Sequence, residues 1–227
     1  MSATPQAAQQ PMTPSTRIIA VLTGIAMISG FLVVLTSQLT APLIAENQRR
    51  AIEAAVSKVI PGSISHKEFI LTEDKLQPAE KGLEGQHIYA GYDADGKLLG
   101  IAAKAGAQGY AGMIYLLYGY EPACECIRGI KVLKTAETPG LGDKIITDPA
   151  FQANFDQLDA RLDPQHTALL NPIITVKHGS KKEAWEVDAI SGATISSKAV
   201  GRALNDSAQA LLPKLLPFIP KLEAAAQ

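Results

Sequence analysis

Residues 188–200 read Asp188-Ala-Ile-Ser-Gly-Ala-Thr-Ile-Ser-Ser-Lys-Ala-Val200. The run is too polar for a core strand and too short for a linker, and it joins segments of different period. Upstream, Ala184 to Ile190 reads as a strand. Downstream, Val200, Leu204, Ala208 and Leu211 recur at helical spacing, with Ser196 or Ser197 placed to cap the helix. A strand that hands over to a helix leaves the first-turn N–H groups without intrahelical acceptors. It also puts the positive end of the helix dipole at the junction, which favours an anion such as a phosphate. Gly192 and Ala193 keep bulk away from the backbone there, Thr194 adds a hydroxyl, and Ser196, Ser197 and Lys198 add donors and one positive charge. The plain alternative is an ordinary N-cap, with Gly-Ala serving only to turn the chain.

Working outward, His66 to Lys134 carries short alternating runs, and Tyr92-Asp-Ala-Asp-Gly-Lys97 predicts a hairpin turn between two strands. Gly91-Tyr92 leading to Gly100-Ile101 is echoed by Gly119-Tyr120 leading to Gly129-Ile130, as if one strand-turn-strand unit were used twice. Asp148-Pro149 opens a helix with Phe151, Phe155 and Leu158 on its apolar face. Ile173 to Lys177 reads as a strand and His178-Gly179-Ser180 as the turn before the strand at 184–190. The expected fold is mixed α/β (α+β), with antiparallel hairpins and helices packed on them.

The front of the chain is different. Ile18 to Leu39 carries no charge, and a helix of that length crosses a hydrocarbon core of roughly 30 Å, so residues 17–40 are expected to form one transmembrane helix. A cleaved signal peptide and a buried core helix are the competing readings. The apolar run is longer than a signal core, and no clear Ala-x-Ala site follows it. Arg17 flanks one end and Arg49 and Arg50 the other, so flanking charge does not choose an orientation. Residues 1–16, without aromatic or charged side chains, are expected to be a disordered tail. Residues 41–62 form a juxtamembrane helix ended by Pro61-Gly62, 63–212 the folded domain, and 213–227 a Pro-rich tail whose three prolines exclude a second span.

A chain of 227 residues and 24.0 kDa allows one ordinary core plus that appendage. A formal net charge of -1, with no long basic cluster, argues against nucleic-acid binding. The two cysteines, Cys124 and Cys126, are too few for a disulfide scaffold, and their spacing disfavours a bridge. On a strand they would face one side as half of a metal site; the commoner reading is loop or edge residues, and no metal is expected. His66, His87, His166 and His178 lack metal-ligand spacing, and no hydrolase-elbow, P-loop, dinucleotide or zincin string occurs. Trp185, Tyr110, Tyr115, Tyr118 and Tyr120 are weak stacking candidates, since aromatics at strand spacing more often pack in a sheet.

Three strings together carry a family resemblance. Asp188-x-x-Ser191-Gly192-Ala193-Thr194 resembles the flavinylation motif of the FMN-binding domain shared by RnfG, from Rnf electron transport complexes, and NqrC, from sodium-translocating NADH:quinone reductases. Gly109-Tyr-Ala-Gly-Met-Ile114 and Glu137-Thr-Pro-Gly-Leu-Gly-Asp-Lys-Ile145 are similar to two further family segments in the same order. The length and the Asp-Lys-Ile after Gly142 look more like RnfG; the turn Glu121-Pro-Ala-Cys-Glu-Cys-Ile-Arg128 departs from the family's plain acidic turn. The resemblance implies FMN held as a phosphoester on Thr194, attached by a flavin transferase that recognises Asp188 and Ser191. It also implies cofactor contacts at Asp188, Ser191, Gly192, Ala193, Ser197 and Lys198, and a wall from Thr138, Pro139, Gly140, Leu141 and Gly142. It further implies an electron-carrying component of an ion-translocating ferredoxin:NAD oxidoreductase (Rnf) complex, with other membrane subunits and lipid as partners. The domain would then face the outside of the bacterial cytoplasmic membrane, and no independent substrate turnover is expected. Two other classes stay open: an anchored sensory or assembly domain that binds flavin, and a non-redox binding module in which Ser-Gly-Ala-Thr is only a helix cap.

Overall fold

The structure is a computed structural model describing residues 15–72, 75–79 and 85–225. Of the tail expected at 1–16, the first 14 residues lie outside the described residues. The chain divides into two units, one ending at Arg49 and one beginning at Arg50.

Helix α1 (Ser15–Val59) carries the apolar run of the first unit and continues through Pro42, so the helices expected at 17–40 and 41–62 are one. Its most apolar stretch has a mean hydropathy of 2.7 and is not buried at all, with Leu22, Phe31 and Val33 all exposed. By length and composition this helix is a candidate membrane span. The hydroxyls of Thr36 and Thr40 donate to the carbonyls of Leu32 and Thr36 at 2.8 Å, so these two polar side chains are satisfied within the helix.

The second unit is built on one antiparallel sheet. Its strands are β1 (Ser65–Leu71), β2 (Leu76–Pro78), β3 (Gln86–Tyr92), β4 (Leu98–Gln108), β5 (Met113–Glu121), β6 (Cys126–Lys134) and β7 (Leu158–Asp159), in the order β2-β1-β3-β4-β5-β6-β7. Alternate residues face opposite sides. On one side Ile88, Ile101, Leu116 and Tyr118 meet Val200, Leu204, Ala208 and Leu211 of the long helix α4 (Thr194–Leu215). On the other, Tyr89, Ala102 and Leu117 meet Ala55, Val56, Val59 and Ile60 at the end of α1. Tyr118 is fully buried; burial pushes its phenol up to about 12, while its bond to the Ser207 hydroxyl at 3.0 Å works the other way.

The sequence echo has a physical cause. Gly91 pairs with Gly100 across β3 and β4, Gly119 with Gly129 across β5 and β6, and both hairpins shift register at the Gly-Tyr step. These four glycines lie under Val59 and Ile60. A Cβ on Gly119 would overlap the Val59 carbonyl, and one on Gly91 would stand 2.9 Å from the Ile60 side chain.

Several expectations need correction. Strands β8 (Ile174–Val176) and β9 (Glu186–Asp188) are shorter than expected, and they pair in parallel. Asp148 does cap a helix, accepting from the Ala150 and Phe151 N–H groups. That helix, α3 (Pro149–Gln152), which follows the single turn α2 (Lys144–Thr147), lasts one turn, and Leu158 belongs to β7. The Pro-rich end is not a loose tail. Leu215, and Leu222 of α5 (Ile219–Ala224), are buried in the main core, and the Tyr92 hydroxyl donates to the Leu222 carbonyl at 2.9 Å. Pro213 lies within α4, two residues before its end, and Pro217 and Pro220 stand at the starts of the short helices that follow, so the prolines do not prevent burial. Cys124 and Cys126 are bonded to one another. The expectation of unbridged edge residues fails because the turn brings their Cα atoms to 5.2 Å, inside the ordinary range.

Candidate functional site

The helix after β9 begins at Thr194, two residues before the expected cap. Its N-cap is Ala193, which offers no side-chain acceptor. Gly192 makes the turn with a φ of +82°, a region that favours glycine, and open space surrounds the place a side chain would take. The serines expected to cap instead point inward and are buried. The Ser197 hydroxyl accepts from the Ile190 N–H at 3.0 Å and donates to the Ala193 carbonyl at 2.9 Å, locking the corner from behind. The Ser196 hydroxyl donates to Glu137 Oε2. The first-turn N–H groups, unpaired by helix geometry, therefore meet no side-chain cap, and the exposed Thr194 hydroxyl stands beside them.

This corner opens on a cleft of about 520 Å³ lined by Gly192, Ala193, Thr194, Ile195 and Ser196 on one side. Tyr110, Glu137, Thr138, Leu141 and Gly142 line the other. The far wall is a turn: Leu141 N–H donates to the Thr138 carbonyl at 3.2 Å, and Gly140 carries a φ of +76°. Tyr110 and Leu141 are 70% and 51% exposed, so the cleft has apolar lips and is shallow.

Glu137 ties the walls together. It is only 6% exposed; Oε1 accepts from the Ala111 N–H at 3.0 Å while Oε2 accepts from Ser196. A Cβ on Gly109 or Gly142 would stand 2.5 or 2.7 Å from its oxygens, so both glycines make room for this carboxylate. One side chain thus fixes the loop before β5, the turn after β6 and the start of α4.

Of the residues expected at the site, the cleft gathers Thr138, Leu141, Gly142, Gly192, Ala193 and Thr194. Pro139 and Gly140 lie at the exposed apex of the turn but do not line it, and Ser197 is sealed behind it. Lys198 is exposed one helical turn beyond Thr194, on the same face. Asp188 and Ser191 line a separate cleft of about 220 Å³ with Lys144 and His178. There Asp188 Oδ1 accepts from the Gly179 N–H at 2.7 Å, closing the 177–180 turn, and His178 Nδ1 lies 2.9 Å from the Ala189 carbonyl. Glu137 and Ile195 are the residues that sequence reasoning does not assign. For Glu137 the available signal is a carboxylate with glycines at 109 and 142, which together imply a buried group; Ile195 carries no such signal. Tyr110 proves a lining residue, while Tyr118 and Tyr120 are core and Trp185 is half-buried away from the cleft.

The donor set fits a flavin mononucleotide. The volume is within the range of small-ligand sites, uncapped N–H groups suit a phosphate, and an apolar lip suits an aromatic ring. Among the described residues no group of His, Cys, Asp or Glu side chains is placed to hold a metal ion.

Comparison with known proteins agrees with this geometry. Residues 109–209 match the FMN-binding domain family, a span that includes both walls of the cleft. The G subunit of the ion-translocating oxidoreductase complex of Methanosarcina acetivorans is 30% identical over 195 residues, covering 85% of this chain and 92% of the relative. The G subunit of the Na(+)-translocating ferredoxin:NAD(+) oxidoreductase complex of Acetobacterium woodii is 30% identical over 197 residues, covering 83% and 87%. Among solved structures, Shewanella oneidensis NqrC matches with a TM-score of 0.50 at 25% identity, covering 72% of each chain. The chain therefore belongs to the RnfG family, the G subunits of ion-translocating oxidoreductase complexes, with an FMN-binding domain.

Proposed function

We propose that this protein is the electron-transfer G subunit of a membrane-bound, ion-translocating ferredoxin:NAD oxidoreductase complex, and that it carries FMN as a phosphoester on Thr194. The observation that carries this reading is the exposed Thr194 hydroxyl at an uncapped helix start, opening on an apolar-lipped cleft within the family's FMN-binding segment. When bound, FMN supplies the redox chemistry. The protein's own residues hold and orient it. Thr194 Oγ would be the ester oxygen through which the phosphate is held. The N–H groups of the first turn face the anionic end, and Lys198, on the same helix face, offsets its charge. Tyr110, Leu141 and Ile195 offer apolar contact, and Glu137 keeps the two walls in register. A shallow cleft encloses a cofactor poorly, so a covalent bond keeps the cofactor in a site open to partner subunits.

Asp188 and Ser191 lie outside the cleft, on the adjoining surface. That placement supports a role in recognition by a flavin transferase rather than in holding the finished cofactor. The family relation and the candidate span make this a membrane protein. The Cys124–Cys126 bond supports placing the domain on the oxidising, extracytoplasmic side. A periplasm-active reporter fused after Gln227 is expected to be active; activity only of a cytoplasmic reporter reverses the orientation.

Mass spectrometry of the peptide containing Thr194 tests the central claim. Protein matured in its host is expected to carry one phosphoryl-riboflavin group there, absent from Thr194→Ala and from cells lacking the transferase. An unmodified threonine in native, complex-bound protein overturns the reading.

A further inference from the structure

We propose that Cys124 and Cys126 form a thiol–disulfide exchange centre, a second redox site addressed by a protein dithiol and independent of the flavin cleft. The bond closes across only two residues of separation, so it removes little freedom from the unfolded chain and is poorly suited to stabilising the fold. The turn has backbone ties besides the bond. β5 and β6 pair up to Glu121 and Cys126, the Glu125 N–H donates to the Pro122 carbonyl at 3.4 Å, and the Ala160 N–H donates to the Glu125 carbonyl at 3.0 Å. Cys126 also pairs with Asp159 of β7. Glu125, between the two cysteines, has a φ of +50°, a conformation that non-glycine residues rarely take.

The two sulfurs are not equivalent. Cys126 is buried at 2% exposure, whereas Cys124 is half-buried at the turn beside exposed Ala123. An incoming thiolate therefore reaches the Cys124 sulfur. It forms a mixed disulfide there while Cys126 leaves as a thiolate and takes a proton. The reductant's second thiolate then attacks the mixed disulfide, leaving the partner oxidised to a disulfide and Cys124 as a thiol. Two electrons and two protons pass from the partner dithiol to this pair. The turn sits at the closed end of the β5–β6 hairpin, and Tyr110 and Glu137 flank its open end. Nine residues of strand at about 3.4 Å each separate the two ends by about 30 Å, so one partner at the turn leaves the cleft free.

The test uses the full chain in detergent, titrated with dithiothreitol and trapped with a maleimide. Both thiols are expected to appear together and reversibly while the far-ultraviolet dichroism stays native, with a Tm shift of about 3 °C or less. Oxidised wild-type protein is expected to trap a mixed disulfide between Cys124 and a thioredoxin-type protein whose resolving cysteine is replaced, releasing Cys126 as a thiol that the maleimide labels. Peptide mapping of that adduct is expected to find at least about tenfold less of it on Cys126, because that sulfur is buried. Thiols that label only when the domain unfolds, or equal trapping through either cysteine, overturn the proposal. The double variant Cys124→Ser/Cys126→Ser is expected to keep its flavin, so a failure here is distinct from a failure at Thr194.

Discussion

At the scale of single residues, Glu137 shows how a side chain that touches three segments acts through them. Glu137→Ala leaves the Ala111 N–H and the Ser196 hydroxyl without their acceptor and opens a gap beneath Gly109 and Gly142. The expected loss is about 2 kcal/mol, roughly 4–8 °C in Tm, read by calorimetry. Glu137→Gln keeps one acceptor oxygen and is expected to lose less than half as much; equal losses would assign the effect to charge rather than to hydrogen bonding. Thr194 is legible in the sequence because Gly-Ala-Thr at a strand-to-helix junction exposes both a hydroxyl and free N–H groups. Ser196 and Ser197 mislead for a related reason. Serine favours a cap, but the same hydroxyls serve equally well buried in the first turn when a carboxylate or a backbone group lies beneath them. Asp188 and Ser191 belong to one motif in sequence yet face another cleft, because a bend at Gly192 separates them from Thr194.

At the scale of elements, the paired glycines of the two hairpins set how closely the end of α1 approaches the sheet. Gly119→Ala forces Val59 away from β5 and is expected to destabilise the second unit by about 1–3 kcal/mol, measured by urea unfolding. Gly24→Ala in α1, with open space around it, is expected to leave stability unchanged or slightly improved. The hairpins and the long helix are legible because period-two and period-3.6 patterns are long there, and the echo at Gly91 and Gly119 marks a real repetition of register. Strands β8 and β9 can be placed from sequence but not paired. Three residues each carry too little pattern to fix a direction, and tertiary contact with α4 decides it. The bend of the Pro-rich end into the core is hidden for the opposite reason, since proline marks where a helix ends and not where the chain goes next.

At the scale of the whole molecule, the two units call for different solvents. Full-length protein is expected to require detergent, whereas residues 50–227 are expected to stay folded and monomeric without it, as judged by gel filtration and dichroism. Acid should weaken this second unit. Burial works to raise the Asp159 carboxyl, but hydrogen bonds and charge from Arg161 outweigh it; Asp163 is lowered by its bonds from Thr167, and Glu186 by the N–H groups of Lys182 and Glu183. Folded values below unfolded ones give stability that is complete above about pH 4.5 and fades as pH falls through the folded values. Asp159→Asn is expected to flatten the fall of Tm with acid. The glycine cradle carries a mechanical consequence as well. Gly91, Gly100, Gly119 and Gly129 sit on four adjacent strands, so tension applied at residue 50 is divided among β3, β4, β5 and β6 at once. Under an optical trap, such a grip should rupture by sliding at high force rather than peel strand by strand from an edge.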